Sequence, residues 1–147
     1  MIITSPMFEN EGEIPIQYTC DGSDRITPLI FHDVPKSAKS LVLIVDDPDA
    51  PVGTWDHWIL FNIPPQIREL EGDAEPKVPH GKNSWKRTNW GGPCPPDKEH
   101  RYFFKLYALD TLLNLKEGAS KKEIEEAMES HIIAETQLMG RYKRKGM

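Results

Sequence analysis

The chain has 147 residues, 38% hydrophobic and 28% charged, with a formal net charge of −5. That is the size and balance of about one soluble globular domain, 1–147, with enough chain to bury a sizeable core. The acidic balance disfavours nucleic acid as the main partner, no apolar run approaches the length of a membrane span, and Met1–Pro6 lacks the basic and apolar regions of a signal peptide, so a cytoplasmic protein is expected.

Thirteen prolines and ten glycines cut the chain into short pieces, which favours strands and turns over long helices. Met1 to Phe8 reads as an edge strand interrupted by Pro6. Glu13 to Thr19 reads as a second short strand, Cys20 to Asp24 as a turn, and Pro28 to Phe31 as a short buried strand. Ser40 to Asp47 gives the strongest strand signal. Leu41 to Val45 is apolar at every position, as in a central strand covered on both faces. Period two sends Asp46 and Asp47 to opposite faces, and the prolines of Pro48-Asp49-Ala50-Pro51 stop the ladder. After a turn at Val52 to Asp56, His57 to Ile63 is a second strand apolar on both faces.

Residues 66–90 are polar and aperiodic and read as a long excursion, which Trp85 and Trp90 pin down by packing. Gly91 to Pro96 is a stiff glycine- and proline-bearing loop. It feeds a third strong strand, His100 to Leu109, with His100 and Tyr102 on one face. Ser120-Lys121-Lys122-Glu123 is a capping box, and the helix it opens runs to about His131. Ile132 to Tyr142 reads as a last strand, and the tail from Lys143 as frayed. The chain holds two cysteines, Cys20 and Cys94. In a reducing compartment the expectation is two free thiols, with a pair left open if the fold brings them together.

The three strong strands each carry polar residues at one end: Asp47, His57, and His100 with Tyr102. If those ends meet, one carboxylate, two imidazoles and a phenol share a site beside a stiff loop. A lone histidine at a strand end is ordinarily structural, and Asp-Pro-Asp ordinarily a turn. Four such groups together point to a binding site. Charged imidazoles, a tyrosine hydroxyl and glycine N–H groups are donors that suit phosphate or carboxylate. Asp47 cannot face an anion. It is expected to accept a hydrogen bond from His57 or His100, or to bind an amine attached to the anion.

These segments also carry a resemblance. Asp47-Pro48-Asp49-Ala50-Pro51, Trp55-Asp56-His57-Trp58, Gly92-Pro93-Cys94-Pro95-Pro96 and His100-Arg101-Tyr102 resemble the phosphatidylethanolamine-binding protein family, in its short bacterial and archaeal Raf kinase inhibitor-like branch. Tyr18 to Gly22 and Leu106 to Asp110 fit the same branch. The resemblance implies a mainly β fold: an antiparallel Greek-key β-sandwich, with a large sheet on a smaller one and one or two peripheral helices. It implies an anion pocket lined by Asp47, His57, His100 and Tyr102, with Trp55, Pro96 and the Gly92 backbone completing the wall. Asp49 and Pro51 would support the loop. It implies no cofactor and no enzymatic activity. The ligand would be a small anion or phospho-headgroup, free or on a partner such as a kinase or serine protease, and short members suggest a homodimer. Lys86 and Asn89 stand where many relatives are expected to carry glycine. Lys86 and Arg87 would then add positive charge at the pocket mouth.

Two other chemistries fit the same residues. Cys94 could act as a nucleophile with His100 or His57 as base. Prolines at 93, 95 and 96 remove the backbone donors an oxyanion would need, and no helix N-terminus is at hand to lower the thiol pKa. Asp47, Asp49, His57 and His100 could hold zinc, although no short paired spacing of ligands is present.

Overall fold

The computed structural model describes residues 1–145. Its strands are β1 (Ile2–Thr4), β2 (Leu29–His32), β3 (Ser40–Asp47), β4 (Trp55–Ile63), β5 (Glu69–Leu70), β6 (His100–Leu109) and β7 (Ile132–Tyr142). They form two antiparallel sheets, one in the order β1-β2-β5 and a larger one in the order β4-β3-β6-β7. The single helix described, α1, spans Lys121–Met128. The mainly β, two-sheet reading of the sequence matches this architecture.

β3 explains why its sequence is apolar throughout. Leu41, Leu43 and Val45 join Ile3, Leu29, Phe31, Phe104 and Leu106 in the core between the sheets. Val42 and Ile44 face the other way, onto Ile59, Phe61, Ile124 and Met128 beneath the helix. All five are buried, at about 2 kcal/mol of transfer free energy for each. The α1 capping box is present: Glu123 N–H donates to Ser120 Oγ at 3.1 Å, and Ser120 N–H to Glu123 Oε1 at 3.0 Å.

Several elements differ from the sequence reading. The first strand stops at Thr4, ahead of Pro6. Glu13 to Thr19 is not a strand. Pro15 has no N–H to continue a ladder. Ile14 N–H alone reaches the Arg141 carbonyl, at 2.8 Å, and Ile16–Tyr18 closes into a 3₁₀ turn. β4 begins at Trp55, two residues before the expected start. The excursion contains β5, which pairs Leu70 with Leu29. It packs as expected at Trp90, which meets the Trp58 ring edge-on at 5.4 Å. The helix ends at Met128 because Ser130 takes a left-handed φ of 67° and turns the chain into β7. In the tail, Arg144 Nε lies 3.0 Å from Asp21 Oδ1, so the chain is tied down that far; the part of the expected frayed end at 146–147 lies outside the described residues.

Candidate functional site

β3 pairs antiparallel with β4 on one side and β6 on the other. The C-terminal end of β3 therefore lies beside the N-terminal ends of both neighbours. Asp47 pairs in register with Trp55, and Asp46 with Phe103, one residue past Tyr102. Topology thus brings Asp47, His57, His100 and Tyr102 to one end of the sheet, where they line a cavity of about 510 Å³. Trp55, Pro51, Gly92 and Pro96 line the same cavity. Asp49 does not. It accepts from Arg101 N, Nε and Nη2 at 2.8–2.9 Å and so straps the loop after β3 onto β6. The Arg101 hydrogen bonds lower its pKa to about 2.

His57 is 4% exposed. Its Nδ1 lies 2.7 Å from the Gly91 carbonyl, which only accepts, so Nδ1 carries the proton. Nε2 is left as a lone pair, with no hydrogen-bond partner among the described residues. Burial lowers the pKa of the ring, although the Gly91 carbonyl pulls the other way. His57 is therefore the neutral imidazole of the pair. Gly91 supplies an acceptor here, where a donor was expected of the loop glycines. Gly92 has no room for a side chain: a Cβ would press on the Asp24 carboxylate and stand 2.6 Å from the Tyr18 carbonyl.

His100 is fully buried between two carboxylates. Nδ1 donates to Asp47 Oδ2 at 2.7 Å and Nε2 to Asp97 Oδ1 at 2.6 Å. Burial opposes its charge most, yet the two hydrogen-bonded carboxylates outweigh burial and raise the pKa. Tyr102 is 1% exposed, and its hydroxyl makes no hydrogen bond. Burial, then the nearby Asp47 carboxylate, raises its pKa.

A profile described as Phosphatidylethanolamine-binding protein matches residues 4–143. The chain belongs to the phosphatidylethanolamine-binding protein family. A UPF0098 protein of Methanothermobacter thermautotrophicus is 47% identical over 150 residues, covering 98% of this chain and 99% of that protein. A UPF0098 protein of Aquifex aeolicus is 48% identical over 153 residues, covering 98% and 89%. Among solved structures, a phosphatidylethanolamine-binding protein homolog of Chlamydia trachomatis superposes with a TM-score of 0.95 at 44% identity, over 97% of both chains. Escherichia coli YbcL, described as a member of the mammalian family, gives 0.87 at 28% identity, over 97% and 98%.

Within this family member the cysteines are paired. Cys20 and Cys94, 74 residues apart, form a disulfide, which overturns the expectation of free thiols. The Cys20 turn lies against the Pro93 loop, where Cys20 N–H donates to the Pro93 carbonyl at 3.1 Å. No thiolate is then available at Cys94, and the nucleophile reading fails in this state. The zinc reading loses its ligands too: both nitrogens of His100 are taken, Asp49 is sealed by Arg101, and among the described residues no group of three or more His, Cys, Asp or Glu is set to hold a metal. No helix among the described residues is long and apolar enough to cross a membrane.

Sequence reasoning missed three residues at the site, and named a fourth, Arg87, for its charge alone. Asp24 lines the cavity opposite His57, in a stretch read only as a turn, and burial raises its pKa. Trp85 packs edge-on against His57 at 5.0 Å and against Trp55 at 5.6 Å. Arg87 stacks over Trp85 at 5.3 Å and reaches the cavity, as its charge suggested. Lys86 does not line it, but takes the left-handed φ of 63° that explains an expected glycine there. Asp97, the partner of His100, was read only as part of a stiff loop.

Proposed function

We propose that this chain is a non-enzymatic binding protein whose cavity takes a phosphate- or carboxylate-type oxyanion. The observation that carries the reading is the Tyr102 hydroxyl. It is buried, it belongs to a residue that lines the cavity, and among the described residues it has no hydrogen-bond partner. An orphaned buried hydroxyl costs about 1–3 kcal/mol, and an acceptor oxygen in the cavity would satisfy it. His57 Nε2 becomes a second donor once protonated, Asp24 a third when its carboxyl is neutral, and Arg87 adds a fixed positive charge at the rim. The wall between them is apolar, from Pro51, Trp55 and Trp85. A small anion, a phospho-headgroup, or a phosphorylated or acidic side chain of a kinase or protease partner has the matching chemistry. A cytoplasmic location and a homodimer belong to the same reading, and sedimentation of the purified chain tests the second.

The direct test titrates the unaltered protein with inorganic phosphate and phosphoethanolamine while ring resonances of His57 and His100 are followed. Both should move saturably. Tyr102→Phe should weaken binding about tenfold, the worth of one charge-assisted hydrogen bond. Its unfolding free energy should rise, by about 1 kcal/mol or more, because the change removes a buried hydroxyl that has no internal partner. Resonances that stay fixed at millimolar ligand would remove the reading.

A further inference from the structure

His100 has no nitrogen to offer a ligand as it stands. A carboxylate oxygen accepts only, so its contacts with Asp47 and Asp97 require an N–H at both ring positions. The ring that satisfies both is an imidazolium. Two negative charges then surround one positive charge, and the cluster is net acidic. An oxyanion entering beside it meets repulsion and finds no donor on His100.

The two carboxylates are held differently. The Asp47 side chain is 5% exposed, sits at the end of the central strand, and accepts a second bond from Asp49 N–H at 2.8 Å. The Asp97 side chain is 46% exposed and sits in the loop after Pro95-Pro96. Beyond His100, its carboxylate accepts from the N–H of the next residue, Lys98, at 2.9 Å, a contact within its own loop. Asp47 is fixed by the fold, whereas Asp97 can rotate into solvent. Pro96, its neighbour, is part of the cavity wall.

We propose that Asp97 is an internal stand-in for the ligand: its carboxylate occupies the His100 Nε2–H that an incoming oxyanion takes over. This rests on the anion reading of the cavity. The exchange replaces one anionic oxygen by another, so His100 keeps its proton and its charge, and Asp47 keeps its bond. Once Asp97 is in water, His100, Tyr102 and His57 can all donate to the same group. The device also selects. A neutral hydroxyl or amide cannot compete with a carboxylate for a buried imidazolium, whereas phosphate can. Apparent affinity is lowered by the fraction of molecules in which Asp97 still holds the position.

The test compares the full-length protein with Asp97→Ala and Asp97→Asn, using inorganic phosphate and phosphoethanolamine, with thermal unfolding as the check on folding. Asp97→Ala should bind phosphate roughly tenfold more tightly, since the internal competitor is gone. Asp97→Asn, which can still accept from Nε2 but carries no charge, should fall between the two. In the unaltered protein, phosphate should also shift the Asp97 carboxyl carbon resonance toward that of an exposed aspartate. Folded Asp97 variants that bind phosphate equally or more weakly, while the unaltered protein binds, would overturn the stand-in and leave the anion site intact; Asp97 would then be a positioning residue. Absence of binding to the unaltered protein and to both variants would overturn both readings.

Discussion

Asp46 and Asp47 are neighbours in sequence, and β3 sends them to opposite faces of the same sheet. Both are buried. Asp46 meets lysines: Oδ2 lies 2.9 Å from Lys105 Nζ and 3.9 Å from Lys121 Nζ, and Lys121 also reaches Asp56 at 2.8 Å. Burial works against the charge on Lys121, but its bond to Asp56 prevails and raises its pKa. Asp47 meets His100, a group that can gain or lose its charge, beside an orphaned hydroxyl and an imidazole lone pair. One face is neutralised by fixed charges. The other is left with groups whose state a ligand or a proton can change. A buried carboxylate therefore does not mark a site by itself; the partner it is given does.

The largest effect expected from this contrast comes from the disulfide, because it ties only the Asp47 face. Cys20 and Cys94 both line the cavity. Closing a loop across their 74-residue separation is worth about 4 kcal/mol by the chain-entropy relation. Reduction should lower stability by about that amount in urea unfolding. Amide exchange should rise first around 19–24 and at Gly91, Gly92 and Cys94, with the helix-side network around Lys121 least affected. Uniform exchange across both faces would show that the two regions are not separately held.

Next in size is the loss of the charged partner on each face. His100→Ala leaves Asp47 buried with no cation, a change that costs about 3 kcal/mol. Lys105→Ala removes a partner that is itself one-third exposed and leaves Lys121 near Asp46, so about 1 kcal/mol is expected. Chemical denaturation of the two variants ranks them. Equal losses would mean that Asp47 is no more dependent on its histidine than Asp46 on its lysines. The same comparison makes His100→Ala a poor probe of binding, since it disturbs the fold as well.

Most of this contrast could be read from the sequence, because it follows from strand period. The apolar run at Leu41 to Val45, the split of Asp46 from Asp47, and the polar starts of β4 and β6 are local patterns, and antiparallel pairing then fixes which ends meet. What escaped was supplied by loops, whose positions no periodicity encodes. Asp24 reaches the cavity only because Gly92, lacking a Cβ, lets its turn close against the loop. Asp97 reaches His100 because Pro95-Pro96 aim the chain back over β6. The disulfide was left open for a different reason: the pairing depends on two turns that approach each other only in the folded chain. Pro15 shows the reverse case, a strand pattern that a single missing donor converts into a turn.

The smallest effect, and the most diagnostic, is the pH dependence of the Asp47 face. An unfolded histidine titrates near about 6.5. His57 has a lowered folded pKa, so its contribution is present above that pH and is lost as pH falls through the folded value. His100 has a raised folded pKa, so its contribution is fully present below that pH and is lost as pH rises through the folded value. The two losses lie on opposite sides, and stability from this pair should peak near about pH 6.5. His57→Asn, whose amide can still donate to the Gly91 carbonyl, should remove the acid limb and leave the alkaline one. Phosphate binding should follow a different course. The anion favours protonated His57, so affinity should keep rising as pH falls through the lowered His57 pKa, past the point where stability has begun to decline. Binding that tracks stability on the acid side would show that phosphate does not draw a proton onto His57, and that the imidazole facing the cavity is a wall rather than a donor.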